Sequence, residues 1–200
     1  MTVNVWPGAL CPELCVRVLE ELDFVYWYPS TVIDNVHGGG YRSDVRTSQT
    51  AYASGFTTQL ADLIDNIEAY VCETLSVPRY SLEGWQALRY GVGTAFDVHH
   101  DDPDGFMNRV RSIAVVLHGA DSGGELEFPN IVTTVPAQTG TMVSWVNRWP
   151  DGVGNRLAFH RVKPVRAGRR VSLVNWSSHP IPTQQGVTDE HPRRTRQRYY

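Results

Sequence analysis

Two hundred residues with 42% hydrophobic content can close one sizeable core but not two, so a single globular domain is the starting expectation. A formal charge of −3 and an isoelectric point near 6.1 argue against nucleic-acid and membrane partners, which call for a basic surface. Three cysteines, Cys11, Cys15 and Cys72, make a secreted disulfide framework unlikely; no stretch nears the roughly 20 apolar residues that cross a bilayer, and Met1 to Leu10 lacks the pattern of a leader, so a soluble cytoplasmic protein is expected.

From Pro12 to Leu22, Leu14, Cys15, Val18, Leu19 and Leu22 recur at spacings of three and four between Glu13, Arg17, Glu20 and Glu21, which predicts an amphipathic helix. Val32 to Gly55, with Gly38, Gly39 and Gly40 and a polar run after them, reads as loop with short extended pieces. A second helix is predicted from Thr57 to Leu75, with Leu60, Leu63, Ile64, Ile67, Tyr70 and Val71 on one face.

After Pro78 the pattern changes to short β-rich runs separated by Gly, Pro, Asp and Asn. They cover Glu83 to Tyr90, Phe96 to His99, Arg111 to His118, Glu125 to Phe128, Ile131 to Val135, Thr141 to Trp145, Leu157 to Val162 and Arg170 to Trp176. About eight strands with no helix between them suit a jelly roll, the double-stranded β-helix, and the order of elements implies an α+β domain whose early helices buttress one sheet. The domain is expected to span residues 1–180, followed by a polar, arginine-rich tail over 181–200 that buries little.

Chemistry enters at His99-His100-Asp101-Asp102. Two imidazoles and one carboxylate on one face of an octahedron make an open iron site, with positions left for a 2-oxo acid and dioxygen. The tetrad offers two frames, His99 with Asp101 or His100 with Asp102, and strand alternation lets only one point inward. Alone, such a pair is weak evidence, because polar loops are ordinarily solvated turns.

The strand-rich half as a whole resembles the prolyl 4-hydroxylase type of iron(II)/2-oxoglutarate oxygenase. That family's Tyr-x-x-Gly-x-x-Tyr-x-x-His-x-Asp is matched by Tyr90, Gly93, Phe96, His99 and Asp101, with phenylalanine in place of the second tyrosine. Arg111-Ser112-Ile113, the run Gly123-Gly124-Glu125-Leu126-Glu127-Phe128-Pro129, and Gly140 match further stretches, and Val45-Arg46-Thr47-Ser48 resembles the arginine loop over the substrate mouth. The most specific segment is His-x-x-x-Pro-Val-x-x-Gly-x-Lys/Arg, met by His160, Pro164, Val165, Gly168 and Arg170, with Trp176 following.

The resemblance implies iron(II) held by His99, Asp101 and His160, and 2-oxoglutarate held by Arg170 with help from Tyr90. It implies substrate contacts at Arg46, Phe96, Arg111 and Trp176, dioxygen as oxidant and ascorbate as a reductant. The implied reaction hydroxylates an unactivated C–H bond of a prolyl, amino-acid or peptide substrate, releasing succinate and carbon dioxide. Asp101 favours hydroxylation over halogenation, since related halogenases lack that carboxylate. Asp102 and Asp104 suggest an acidic rim suited to a cationic substrate. The rival readings are an oxygenase acting on another small molecule or a nucleobase, and a non-catalytic jelly-roll module that binds a metal or ligand. Oligomeric state stays open.

Overall fold

Proline at the start of a helix costs no hydrogen bond, and α1 (Pro12–Leu22) opens on one, burying Cys15, Val18 and Leu22 on a single face. The second helix, α2 (Thr58–Leu75), is capped by Thr57, whose hydroxyl oxygen accepts from the Leu60 N–H at 3.0 Å. The same hydroxyl donates to Glu21 of α1 at 2.8 Å, so one side chain both starts α2 and fixes it to α1. The chain leaves α2 through Ser76 in the left-handed conformation.

The computed structural model describes residues 3–33, 40–102, 104–105 and 107–180; the expected tail over 181–200 lies outside them. Among the described residues the strands are β1 (Val3–Trp6), β2 (Tyr28–Pro29), β3 (Gln49–Tyr52), β4 (Gln86–Tyr90), β5 (Phe96–His99), β6 (Arg111–His118) and β7 (Ser122–Gly123). They continue as β8 (Leu126–Phe128), β9 (Thr133–Val135), β10 (Met142–Val146), β11 (His160–Val162), β12 (Val165–Ala167) and β13 (Arg170–Ser177).

A seven-stranded major sheet runs β1-β10-β6-β13-β4-β3-β2, a four-stranded minor sheet runs β5-β11-β8-β9, and β12 pairs with β7 in a short ribbon; every pairing between these strands is antiparallel. Period-two alternation divides the major sheet's side chains between two cores. Ile113, Val115 and Leu117 of β6, with Val171 and Leu173 of β13, join Val18, Leu60, Ile64 and Ile67 of the helices in one apolar cluster. Ala114 joins Phe128, Trp145 and Val162 in the other, between the two sheets. The layers are therefore helices, major sheet and minor sheet, a jelly roll buttressed on one side.

Among the described residues thirteen strands stand where about eight are predicted. The additional ones are β1 and β3, of four residues each, and β2, β7 and β12, whose two or three residues are too short to display an alternation in sequence. Four predicted strands, β4, β8, β9 and β11, are also shorter than expected. Pro129–Ile131 and Arg156–Ala158 form 3₁₀ turns before β9 and β11, the second opened by Asn155, whose side-chain oxygen accepts from the Leu157 N–H. Gly123 has φ +77°, and a Cβ there would lie 2.2 Å from the Pro164 carbonyl oxygen, so the crossing of β7 over β12 requires glycine.

Candidate metal centre

β5 and β11 lie side by side with His99 directly opposite His160 in the ladder, so the pairing that builds the minor sheet also brings the two imidazoles together. Asp101 follows β5 by two residues and turns its carboxylate toward both. The His99 Nε2 is 3.7 Å from Asp101 Oδ1, the His160 Nε2 is 3.8 Å from Asp101 Oδ2, and one donor atom from each of the three residues falls within 4.8 Å of the other two. These gaps exceed hydrogen-bond length, and the donors face a shared point rather than one another.

The protonation pattern suits a metal. The His99 Nδ1 donates to the Asp97 carbonyl at 2.7 Å and the His160 Nδ1 to the Ala158 carbonyl at 2.9 Å. A carbonyl only accepts, so the proton of each neutral ring sits on Nδ1 and the Nε2 lone pair is free. Burial, reinforced by the neighbouring His160, pushes the His99 pKa down to about 3, which keeps that imidazole neutral. Burial alone would raise the Asp101 carboxyl, but His160 and His99, with a hydrogen bond from Ser112, hold it well below the usual carboxylate range.

Ser112 Oγ donates to Asp101 Oδ2 and itself accepts from Asn147 Nδ2 at 2.7 Å, so a buried relay from the major sheet orients the carboxylate. Phe96 stacks on the His99 ring, with centroids 3.5 Å apart and planes 15° apart, and Trp145 stands 4.6 Å from His160. The other frame of the tetrad is used structurally. The His100 Nδ1 accepts the Asp102 N–H at 3.0 Å while its Nε2 donates to the Asn155 carbonyl at 3.1 Å. Asp102 is buried, accepting the N–H groups of Met107 and Arg109 at 3.0 and 2.8 Å. It organises a loop and is no part of an acidic rim.

The three donors open on a cavity of about 310 Å³ between the sheets. Arg170, 3% exposed, lies in its wall opposite Tyr90 across the β13–β4 ladder. Its Nε donates to Ser172 at 3.1 Å and its Nη1 to the Gly124 carbonyl at 3.1 Å, which fixes the fork without neutralising it. Burial lowers its pKa. A buried guanidinium with no carboxylate partner among the described residues fits an incoming carboxylate group.

Of the residues expected at the substrate, Arg46, Phe96 and Trp176 line this cavity and Arg111 does not. The Arg46 guanidinium sits 4.7 Å over the Phe96 ring and donates to the Thr31 carbonyl at 2.8 Å. Arg111 shares the helix-facing side of β6 with Ile113 and Val115, and its Nη1 reaches Ser144, so its assignment to the substrate is corrected. Arg109 lines the cavity beside Arg46 and Arg170. It stacks 3.7 Å over Trp176 and forms a two-pronged pair with Glu83 at 2.6 and 2.7 Å. Nothing in the sequence marks Arg109, because it precedes β6, where alternation does not apply, and Ser112 stands out there only as part of the Arg111-Ser112-Ile113 motif.

Residues 85–178 match the family model of the 2OG-Fe(II) oxygenase superfamily. The chain is 26% identical over 171 residues to prolyl 4-hydroxylase subunit alpha-1 of Gallus gallus, covering 80% of this chain and 33% of that protein. It is 27% identical over 173 residues to prolyl 4-hydroxylase 5 of Arabidopsis thaliana, covering 74% of this chain and 58% of that protein. It thus spans about one third to three fifths of the length of these relatives. In fold it is similar to a viral collagen prolyl hydroxylase from Paramecium Bursaria Chlorella virus-1 in its 2OG complex, with a TM-score of 0.67 at 20% identity over 88% of this chain and 95% of that one. A prolyl hydroxylase of Trichoplax adhaerens in complex with a hypoxia inducible factor peptide fragment gives 0.67 at 16% identity, over 88% and 83% of the two chains.

Proposed function

We propose that this chain, whose residues 85–178 match the family model of the 2OG-Fe(II) oxygenase superfamily, is a 2-oxoglutarate-dependent dioxygenase that hydroxylates a prolyl residue or related amino-acid substrate. His99, Asp101 and His160 hold iron(II), Arg170 receives the distal carboxylate of 2-oxoglutarate, and Tyr90 lends its hydroxyl to the same group. One observation carries the reading: three donors with free lone pairs and a buried guanidinium with no carboxylate partner among the described residues face one cavity.

Iron(II) bound there, with 2-oxoglutarate and dioxygen, supplies the oxidising chemistry, and the side chains supply geometry. The Nδ1–H hydrogen bonds hold both imidazoles in one tautomer and orientation. Ser112 keeps one carboxylate oxygen of Asp101 occupied and leaves the other for the metal. Phe96 and Trp145 wall the histidines with apolar surface, which limits water around the donors. Arg46, Phe96, Arg109 and Trp176 frame the mouth, where the C–H bond to be oxidised is chosen.

The unpaired cysteines support a reducing compartment such as the cytoplasm, and no described helix is long and apolar enough to cross a membrane. The jelly roll over 1–180 is taken as one domain.

The test is succinate formation from 2-oxoglutarate under air with iron(II) and ascorbate, comparing the natural chain with His160→Ala across free amino acids and proline-containing peptides. Turnover with one substrate class, abolished in the variant, is the expected result. Failure of the natural chain to bind either iron(II) or 2-oxoglutarate would overturn the reading.

A further inference from the structure

The face of the major sheet that lines the cavity continues past it to an exposed edge. β2 is the edge strand, Tyr28 pairs with Thr50 of β3, and Tyr52 pairs with Gln86 of β4. Ala51 points into the helix-side core, so Tyr52 points the other way, and both Tyr52 and Gln86 line the cavity. Trp27 packs against the helix-side core under Arg89, which leaves Tyr26 and Tyr28 on the cavity side by alternation.

The outcome is a run of three tyrosine rings from the cavity mouth to the sheet edge. Ring centroids are 4.8 Å apart for Tyr26 and Tyr28 and 6.2 Å apart for Tyr28 and Tyr52. Tyr26 is 73% exposed, Tyr28 50% and Tyr52 38%, so the rings become more covered toward the cavity. Contiguous exposed aromatics that continue the wall of a site mark an interaction surface rather than chance exposure.

We propose that Tyr26, Tyr28 and Tyr52 form a subsite that holds an extended, proline-bearing polypeptide as it leaves the catalytic cavity. This rests on the oxygenase reading and deepens it, choosing a polypeptide over a free amino acid. The spacing fits a polyproline II chain, which rises about 3.1 Å per residue, so consecutive rings meet residues one to two apart. Such a chain carries no internal hydrogen bonds and is recognised by aromatic-lined grooves. Recognition by strand addition is disfavoured, because Pro29 on the edge strand offers no N–H.

The experiment measures binding of decaproline to the full chain loaded with iron(II) and 2-oxoglutarate under anaerobic conditions, using calorimetry. Natural chain, Tyr26→Ala/Tyr28→Ala and Tyr26→Phe/Tyr28→Phe are compared, with iron(II) and 2-oxoglutarate affinities measured alongside. The alanine pair is expected to weaken decaproline binding on the order of tenfold, the phenylalanine pair to retain it, and both to leave cofactor affinity unchanged. Equal binding by the natural chain and the alanine pair, or binding by neither, overturns the subsite. Sedimentation showing a dimer of the natural chain that the alanine pair abolishes also overturns it, assigning the rings to a second copy. If the natural chain binds decaproline but not iron(II) or 2-oxoglutarate, the oxygenase reading fails, and with it the assignment of the rings to a substrate subsite.

Discussion

At the scale of single residues the site depends on groups that never touch the metal. Ser112 is such a group: its hydroxyl ties one oxygen of Asp101 to the Asn147 amide, and without it the carboxylate is free to rotate. Ser112→Ala is expected to weaken metal binding about 10- to 100-fold, as loss of an orienting partner does elsewhere. Anaerobic titration with cobalt(II), followed by absorption, reads this directly; an unchanged affinity would remove Ser112 from the design. The three donors were legible from spacing, since Tyr90, Gly93 and Phe96 select His99 over His100. Arg109 was not legible. Its direction is set by Glu83 and Trp176, residues far away in sequence, and by the buried Asp102 that accepts its N–H.

At the scale of elements, helix boundaries were readable because capping and periodicity act locally, and both helices fall where Pro12 and Thr57 place their starts. The short strands were not, because two or three residues carry no period and their pairing is decided by partners across the sheet. Thr57 joins the two regimes. Thr57→Ala removes the α2 cap and leaves Glu21 without its hydroxyl donor, at an expected cost of about 1–2 kcal/mol. Urea unfolding of the natural chain and the variant tests it, with a difference below about 0.5 kcal/mol counting against a shared anchor.

At the scale of the whole molecule, the neutral imidazole and the ionised carboxylate give the metal-free protein a defined response to acid. His99 has its folded pKa lowered from 6.5 to about 3. Below pH 6.5 the unfolded chain takes up a proton that the folded site refuses, so stability falls as pH drops from about 6.5 toward 3. Asp101 acts in the same direction lower down, its lowered pKa contributing stability that is lost as pH falls below the ordinary carboxylate value of 3.8. The melting temperature of the metal-free protein should decline steadily below pH 6.5, and His99→Ala should flatten that decline between pH 6.5 and 4. A natural chain whose melting temperature holds steady to pH 4 would contradict this.

The two ends of the proposed co-substrate site belong to different layers: His99 and His160 stand on the minor sheet and Arg170 on the major one. Packed sheets hold a spacing of about 10 Å because their side chains interdigitate, and that spacing does not adjust to a ligand. The sandwich is therefore a calliper, set before anything binds, that admits a diacid by its length. A four-carbon oxo-diacid is too short to touch both jaws and a six-carbon one must buckle, so oxaloacetate and 2-oxoadipate should each replace 2-oxoglutarate poorly, read as the formation of malonate and of glutarate in place of succinate. A mutation that loosens the core between the sheets would act as a change of gauge, altering which acid is accepted without altering any residue that touches it.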